Sequence, residues 1–245
     1  MTRHQTDGED EEPHASTAEE RQNRTMTEVA GRPIHVSNFM AQLAKNRPVF
    51  HSEADFQHAF AWAMREAYPR LQARLEIELT VREHLDLLLT DIDTHERTAV
   101  EFKYPRAAWS GDDRGEEFNL KSHGATDLIG YDTLKDVQRL ESLVDAGTAQ
   151  NGLLLLLTNE PAYWATPKST MTSNFDAFRI HDGVTVSGTH DWGPRTGHGT
   201  KKSREKPIAL RGTYHIRWHD YSDLGGSKGR FRWFDLEVRR PPNGD

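Results

Sequence analysis

Along this chain the apolar positions switch between two periods. Phe56, Phe60, Ala63, Met64 and Ala67 recur at helical spacing, Ser52 offers an N-cap oxygen, and Asp55 stands three residues on in a capping-box position. Tyr68-Pro69 ends that run, because the residue before a proline is driven out of the helical region. From Leu75 the period becomes two, with Leu75, Ile77, Leu79 and Val81 on one face and Glu76, Glu78 and Thr80 on the other. Two more strands are predicted at residues 84–90 and 98–104, parted by a polar turn at 91–96, and three consecutive strands imply an antiparallel meander. Residues 105–124, rich in Gly, Asp and Ser, are expected to form an irregular loop that serves as a lid or substrate loop. Thr126 is expected to cap a second helix running to about Ala146, with Ile129, Leu134, Val137, Leu140 and Val144 as its stripe and Gly147 as its stop. The five leucines Leu153 to Leu157 do not alternate, which suits a central strand covered on both faces.

Past residue 165 the pattern is β-like. Residues 177–181 and 184–187 flank Asp182-Gly183, a two-residue hairpin signal. Residues 189–206 read as a flexible basic linker, and 210–218 and 230–238 as strands around Leu224-Gly225-Gly226-Ser227. The expected organisation is a disordered acidic tail at 1–30, a core at 31–170 in the order α, β, β, β, α, β, and a β-rich C-terminal extension at 171–245.

Composition narrows the setting. There are no cysteines among the 245 residues, which removes disulfides and cysteine-based zinc sites and fits a cytoplasmic protein. The sequence has no apolar run long enough for a membrane span, and the 13 histidines show no zinc-binding spacing. Net charge is −7, unevenly spread: residues 1–30 carry three basic and eight acidic side chains, residues 189–245 twelve basic and seven acidic. That balance neither excludes a polyanionic partner nor argues for one.

The candidate chemistry lies on the second and third predicted strands. Glu101 and Lys103 share a face because side chains alternate across a sheet. Asp86 interrupts the apolar stretch Leu85, Leu87, Leu88, Leu89, where a charge is costly unless paired, solvated or metal-bound. Glu53, three and seven residues before Phe56 and Phe60, lies on the inward stripe of the first helix. Two carboxylates suit a hard divalent cation, which takes one or two of them together with waters and phosphate oxygens. Lys103 beside them would orient an attacking water, or deprotonate it if its own pKa were depressed.

A helix-borne Glu53, then Asp86, then Glu101-Phe102-Lys103, followed by a helix and a strand, resembles the PD-(D/E)XK, restriction-endonuclease-like nuclease core over about residues 45–165. The resemblance implies an α/β fold with a mixed central sheet flanked by helices, and Mg²⁺- or Mn²⁺-dependent hydrolysis of nucleic acid, DNA in preference to RNA. It implies Asp86, Glu101, the Phe102 backbone carbonyl and Glu53 as metal ligands, Lys103 as the catalytic lysine, and Gln138 as a helix residue joining the site. A homodimer is left open, and no protein partner is implied. Lys121, His123, Lys135 and Arg139 are candidates for phosphate contact, and Trp218 to Ser222 for either core packing or stacking on bases. Two rival classes remain: a catalytically silent module of the same fold that binds nucleic acid or protein, and a structural ion-pair cluster in an unrelated α/β fold.

Overall fold

Leu153 to Leu157 have no exposed surface, and the main sheet is built outward from them. In the computed structural model, which describes residues 26–80, 83–123, 125–168 and 172–241, these leucines lie in strand β8 (Asn151–Thr158). On one side β8 pairs in parallel with β5 (Arg97–Lys103), and on the other antiparallel with β12 (Arg230–Arg239). Beyond β5 come β4 (Glu83–Asp91) and β3 (Leu71–Thr80), and beyond β12 comes β11 (His219–Asp223), giving the order β11-β12-β8-β5-β4-β3. The protein is therefore α/β with a mixed six-stranded sheet, and β3, β4 and β5 form the expected meander. The parallel β5–β8 pair needs a crossover, and helix α3 (Thr126–Asp145) provides it.

Each face of the sheet is sealed differently. One is covered by α1 (Val36–Asn46) and α2 (Glu53–Ala67), whose Met40, Leu43, Phe56 and Phe60 pack on Val100, Phe102, Leu153 and Leu155. The other is covered by α3 and the two-stranded sheet of β9 (Thr185–His190) and β10 (Ile208–His215), which pack on Ala99, Leu154, Leu156 and Phe234. Burying a phenylalanine such as Phe56 or Phe60 contributes roughly 1.5–3 kcal/mol each. Among the described residues, no helix is long and apolar enough to cross a membrane.

Several elements depart from the sequence expectation. Residues 1–25 of the expected acidic tail, like Val81, lie outside the described residues. Residues 27–30 are not disordered: they belong to a hairpin of β1 (Thr27–Val29) and β2 (Arg32–Ile34), turned by Ala30 and Gly31 at φ +48° and +73°. Two successive positive φ values are what a two-residue type I′ turn requires. The hairpin is held by Ala30 N–H on Thr98 Oγ1 at 2.7 Å and by an Arg32–Asp91 ion pair. Helix α1 was not expected, although Val36, Met40, Leu43 and Ala44 carry its buried stripe. The expected loop at 105–124 instead contains a hairpin of β6 (Trp109–Asp113) and β7 (Glu116–Leu120), anchored by buried Trp109, Phe118 and Leu120.

Further on, Asp182-Gly183 does not turn a hairpin. Residues 176–178 form a 3₁₀ turn, and β9 pairs with β10 instead. The Asp182 carboxylate accepts Trp218 N–H at 2.9 Å, so the Asp-Gly pair joins a loop to a loop. The expected linker at 189–206 is packed on α3: Trp192 is buried, Arg204 pairs with Asp132, and a short helix α4 (His198–Lys201) lies within it. The C-terminal extension contributes β11 and β12 to the main sheet, and buried Trp218 and Tyr221 belong to the core. Helix α3 begins at Thr126 but is preceded by Ala125, with no side-chain cap, so Thr126 is its first residue and not its cap.

Candidate active site

The β4–β5 ladder stops at the pair Leu87 and Val100, and the next pair in that register would be Asp86 with Glu101. Residues opposed in this way bring their side chains to roughly 5 Å at Cβ, on the same face. Where the ladder stops, backbone donors of β5 are left over, and carboxylates collect them. Asp86 Oδ2 accepts Phe102 N–H at 2.7 Å, and Glu53 Oε2, from the first turn of α2, accepts Tyr104 N–H at 2.7 Å. The position of Glu53 follows from a well-made helix start: Ser52 Oγ caps Asp55 N–H at 3.1 Å, and Asp55 in turn accepts His51 N–H at 2.9 Å.

On the other side of Asp86 the backbone is distorted. Glu76 on β3 has φ +52°, a conformation L-residues avoid, and it falls between the paired positions Leu75–Leu87 and Ile77–Leu85. The apolar side chains change allegiance across this point, since Leu75 and Leu87 belong to the core under α1 and α2, and Ile77 and Leu85 to the core under α3. The end of the β3–β4 hairpin is thereby turned toward the α3 face that carries the cluster.

Helix α3 completes the group with two residues one turn apart. The Lys103 ammonium pairs with Asp136 and also donates to the Phe102 carbonyl at 3.3 Å. Arg139 Nη2 lies 2.5 Å from Glu101 Oε2 and 3.0 Å from Asp136 Oδ1. Glu101 is 0% exposed, and neither of its oxygens receives a well-formed hydrogen bond. Four carboxylates, Glu53, Asp86, Glu101 and Asp136, thus share two cations, Lys103 and Arg139.

The electrostatics follow from that imbalance. Burial raises the pKa of Glu53, which Lys103 and the Tyr104 N–H only partly offset. Burial likewise raises Asp86 against the pull of the Phe102 N–H and Lys103. Glu101 is raised most clearly, by burial and then by the negative charges of Asp136 and Asp86, with Arg139 opposing. For Lys103, burial favours the neutral amine, but the charges of Asp136 and Glu53 outweigh it and hold the ammonium above its ordinary range. Paired with Asp136, Lys103 is thus held as the ammonium, the form that orients a water and does not accept a proton from it.

The structure thus brings together Glu53, Asp86, Glu101 and Lys103 but not Gln138. Gln138 points to the C-terminal sheet, where its amide donates to Ala209 O at 3.0 Å. Two residues along a helix turn the side chain by about 200°, so Asp136 and Gln138 cannot share a face. Asp136 was absent from the expected site, and Arg139 was expected only at a phosphate. Their i, i+3 spacing on the buried side of α3 was the available signal. Compared with family models, with curated proteins and with solved structures, the chain matches none.

Among the described residues, no three His, Cys, Asp or Glu side chains are placed to hold a metal ion as they stand. The donor chemistry nevertheless fits a hard divalent cation. Asp86 and Glu101 supply the one or two carboxylates such an ion takes, Phe102 follows Glu101 directly and gives its N–H to Asp86, and Glu101 is an enclosed acceptor whose one polar neighbour is the Arg139 guanidinium.

Proposed function

We propose that this cluster is the centre of a metal-dependent phosphodiesterase acting on nucleic acid, DNA in preference to RNA, of the PD-(D/E)XK type. The single observation that carries this reading is the crowding of acids: four enclosed or half-enclosed carboxyl groups face two cations, so that without a further cation burial and mutual repulsion hold Glu53, Asp86 and above all Glu101 toward their neutral forms. Buried charge left unpaired is expensive, and a divalent cation would offset that cost. Asp86, Glu101 and the Phe102 carbonyl would hold Mg²⁺ or Mn²⁺, with Glu53 reaching it directly or through water. Such an ion polarises a phosphoryl oxygen and acidifies water.

The chain's own residues would do the rest. Lys103, fixed by Asp136, sets a permanent positive charge beside the attacking water and the charge that builds on the phosphate oxygens. Glu53, anchored by the Tyr104 N–H, keeps Oε1 for water or metal. The placement of Arg139 on Glu101 favours a second reading, a silent nuclease-fold module that binds nucleic acid or protein without cutting, because a cation already stands where the metal would bind.

Incubation of the purified chain with supercoiled, linear and single-stranded DNA and with RNA, in Mg²⁺, Mn²⁺ or EDTA, separates the two. Metal-dependent cleavage that falls by about 100-fold or more in Asp86→Ala and Lys103→Ala supports the enzyme, in line with the usual effect of removing one electrostatic catalytic group. Retention of nucleic acid with no cleavage under any condition supports the binding module. Cleavage that survives both substitutions assigns the activity elsewhere.

A further inference from the structure

Buried carboxylates in this protein are held in two ways. Glu141 and Asp91 are held by backbone N–H groups, from Arg211 and Gly212 in one case and from Asp93 and Thr94 in the other, where the Arg32 side chain joins them. Backbone donors cannot leave without unfolding a segment. Glu101 is held by neither backbone nor hydroxyl, and the one cation on it is the end of a long flexible side chain. The Arg139 side chain is a quarter exposed although its Nε is enclosed, so it lies at the edge of the cluster and not in its middle. It also has a second acceptor already engaged, Asp136 Oδ1 at 3.0 Å, which lies one helical turn before it on α3. An arginine with one foot on Glu101 and the other on Asp136 has two arrangements available, differing by loss of the first contact.

We infer that Arg139 is an exchangeable counter-ion, which neutralises Glu101 while the protein is free of metal and yields that carboxylate to a divalent cation, remaining on Asp136. The inference rests on the reading of the cluster as a metal centre and deepens it, by stating what the ion must displace. It also accounts for an otherwise awkward pair of facts: the donor set suits a hard cation, yet no three acidic side chains stand ready for one. In the exchanged state Arg139 keeps its positive charge at the rim of the site, between Asp136 and solvent. The cost of the arrangement is weaker metal binding, since the ion must compete with the guanidinium for Glu101.

Mn²⁺ binding by calorimetry to the full chain tests this without any reading of cleavage. Arg139→Met removes the competitor and is expected to bind Mn²⁺ about tenfold to a hundredfold more tightly than wild type, the range set by a charge-assisted hydrogen bond. It is also expected to melt below wild type in EDTA and to recover most of that loss on saturation with Mn²⁺, because the ion replaces the missing charge. Arg139→Lys, which keeps the charge but loses the planar fork, should bind with intermediate affinity and serves if the Met variant does not fold. Asp86→Asn, made in both backgrounds, reports whether the ion occupies the intended site. If Asp86→Asn weakens binding but neither Arg139 variant tightens it, Arg139 is a fixed structural partner and the inference fails alone. If no Asp86-dependent Mn²⁺ binding exists in any variant, the metal-centre reading fails and takes this one with it.

Discussion

Glu101 and Glu141 are the same residue type, both enclosed and both in contact with groups on or against α3, yet they are built to opposite ends. Glu141 accepts Arg211 N–H at 2.9 Å, Gly212 N–H at 2.7 Å and the Tyr214 hydroxyl at 2.7 Å. The two N–H donors belong to the irregular step in β10 between Leu210 and Thr213, where the ladder to β9 shifts register, and Tyr214 is a paired residue just beyond it. Glu141 is a structural plug for that defect. Glu101 stands at a place where the ladder also stops, but its neighbours Asp86 and Glu53 take the free N–H groups and Glu101 receives only the side-chain cation of Arg139. A buried carboxylate surrounded by fixed neutral donors stabilises a fold, and one surrounded by excess negative charge and a movable cation is poised for exchange.

The largest expected effect breaks this comparison directly. Glu101→Gln should lower metal-dependent cleavage by about 100-fold or more, with little loss of stability, because the amide relieves the negative charge and Arg139 keeps Asp136. Glu141→Ala should do the reverse: leaving two backbone N–H groups and a hydroxyl unpaired costs about 1–3 kcal/mol for each group that water cannot reach, while Mn²⁺ affinity stays the same. Urea denaturation read beside Mn²⁺ calorimetry distinguishes them. A Glu101→Gln chain that unfolds, or a Glu141→Ala chain that loses only metal, would show the two assignments reversed.

Asp136→Asn should have a smaller effect and sharpens the role of Lys103. Losing the Asp136 charge lowers the pKa of the ammonium, whose positive charge the reaction needs. The alkaline limb of the pH–rate profile should therefore move to lower pH than in wild type. An unmoved limb would assign it to another group.

The smallest effect concerns Asp91, a third buried acid, held by backbone N–H groups as Glu141 is but by an arginine side chain as well. The Arg32 side chain, then the Asp93 and Thr94 N–H groups, lower its carboxyl from the ordinary 3.8 to about 2. A folded-state pKa below the unfolded one contributes stability that is present above about pH 4 and lost as pH falls through about 2. Asp91→Ala should accordingly be less stable than wild type near neutrality, with the difference shrinking as the solution is acidified. A constant gap across that range would mean that packing and not ionisation supplies it.

The meander, the two long helices and the central leucine strand were legible because each is a continuous run whose period matches its burial. Phe56, Phe60 and Met64 lie 0% exposed on α2, and Leu153 to Leu157 lie 0% exposed on β8. Asp86 and Glu53 were legible because each is a charge where the local pattern calls for an apolar residue, and Glu101 and Lys103 because strand alternation puts them on one face. The β6–β7 hairpin was not, since its buried Trp109, Phe118 and Leu120 are spaced among Gly, Asp and Ser that by composition read as loop. Asp182-Gly183 does make a turn, with Val184 N–H on His181 O at 3.2 Å and Gly183 at φ +81°, but no hairpin follows from it because β9 pairs with β10.

What the sequence determined by itself was which faces are apolar and which charges are out of place, as both depend on neighbours a few residues away. Which cations answer those charges was decided only by the fold. Asp136 and Arg139 lie more than thirty residues beyond Glu101 and Lys103 in the chain, on a helix whose rotation is fixed by the packing of Leu134, Val137 and Leu140 on the sheet. A pairing across that separation leaves no local periodicity, so Gln138 and Arg139, adjacent in sequence, go to opposite tasks: one to the Ala209 carbonyl, the other to the buried Glu101.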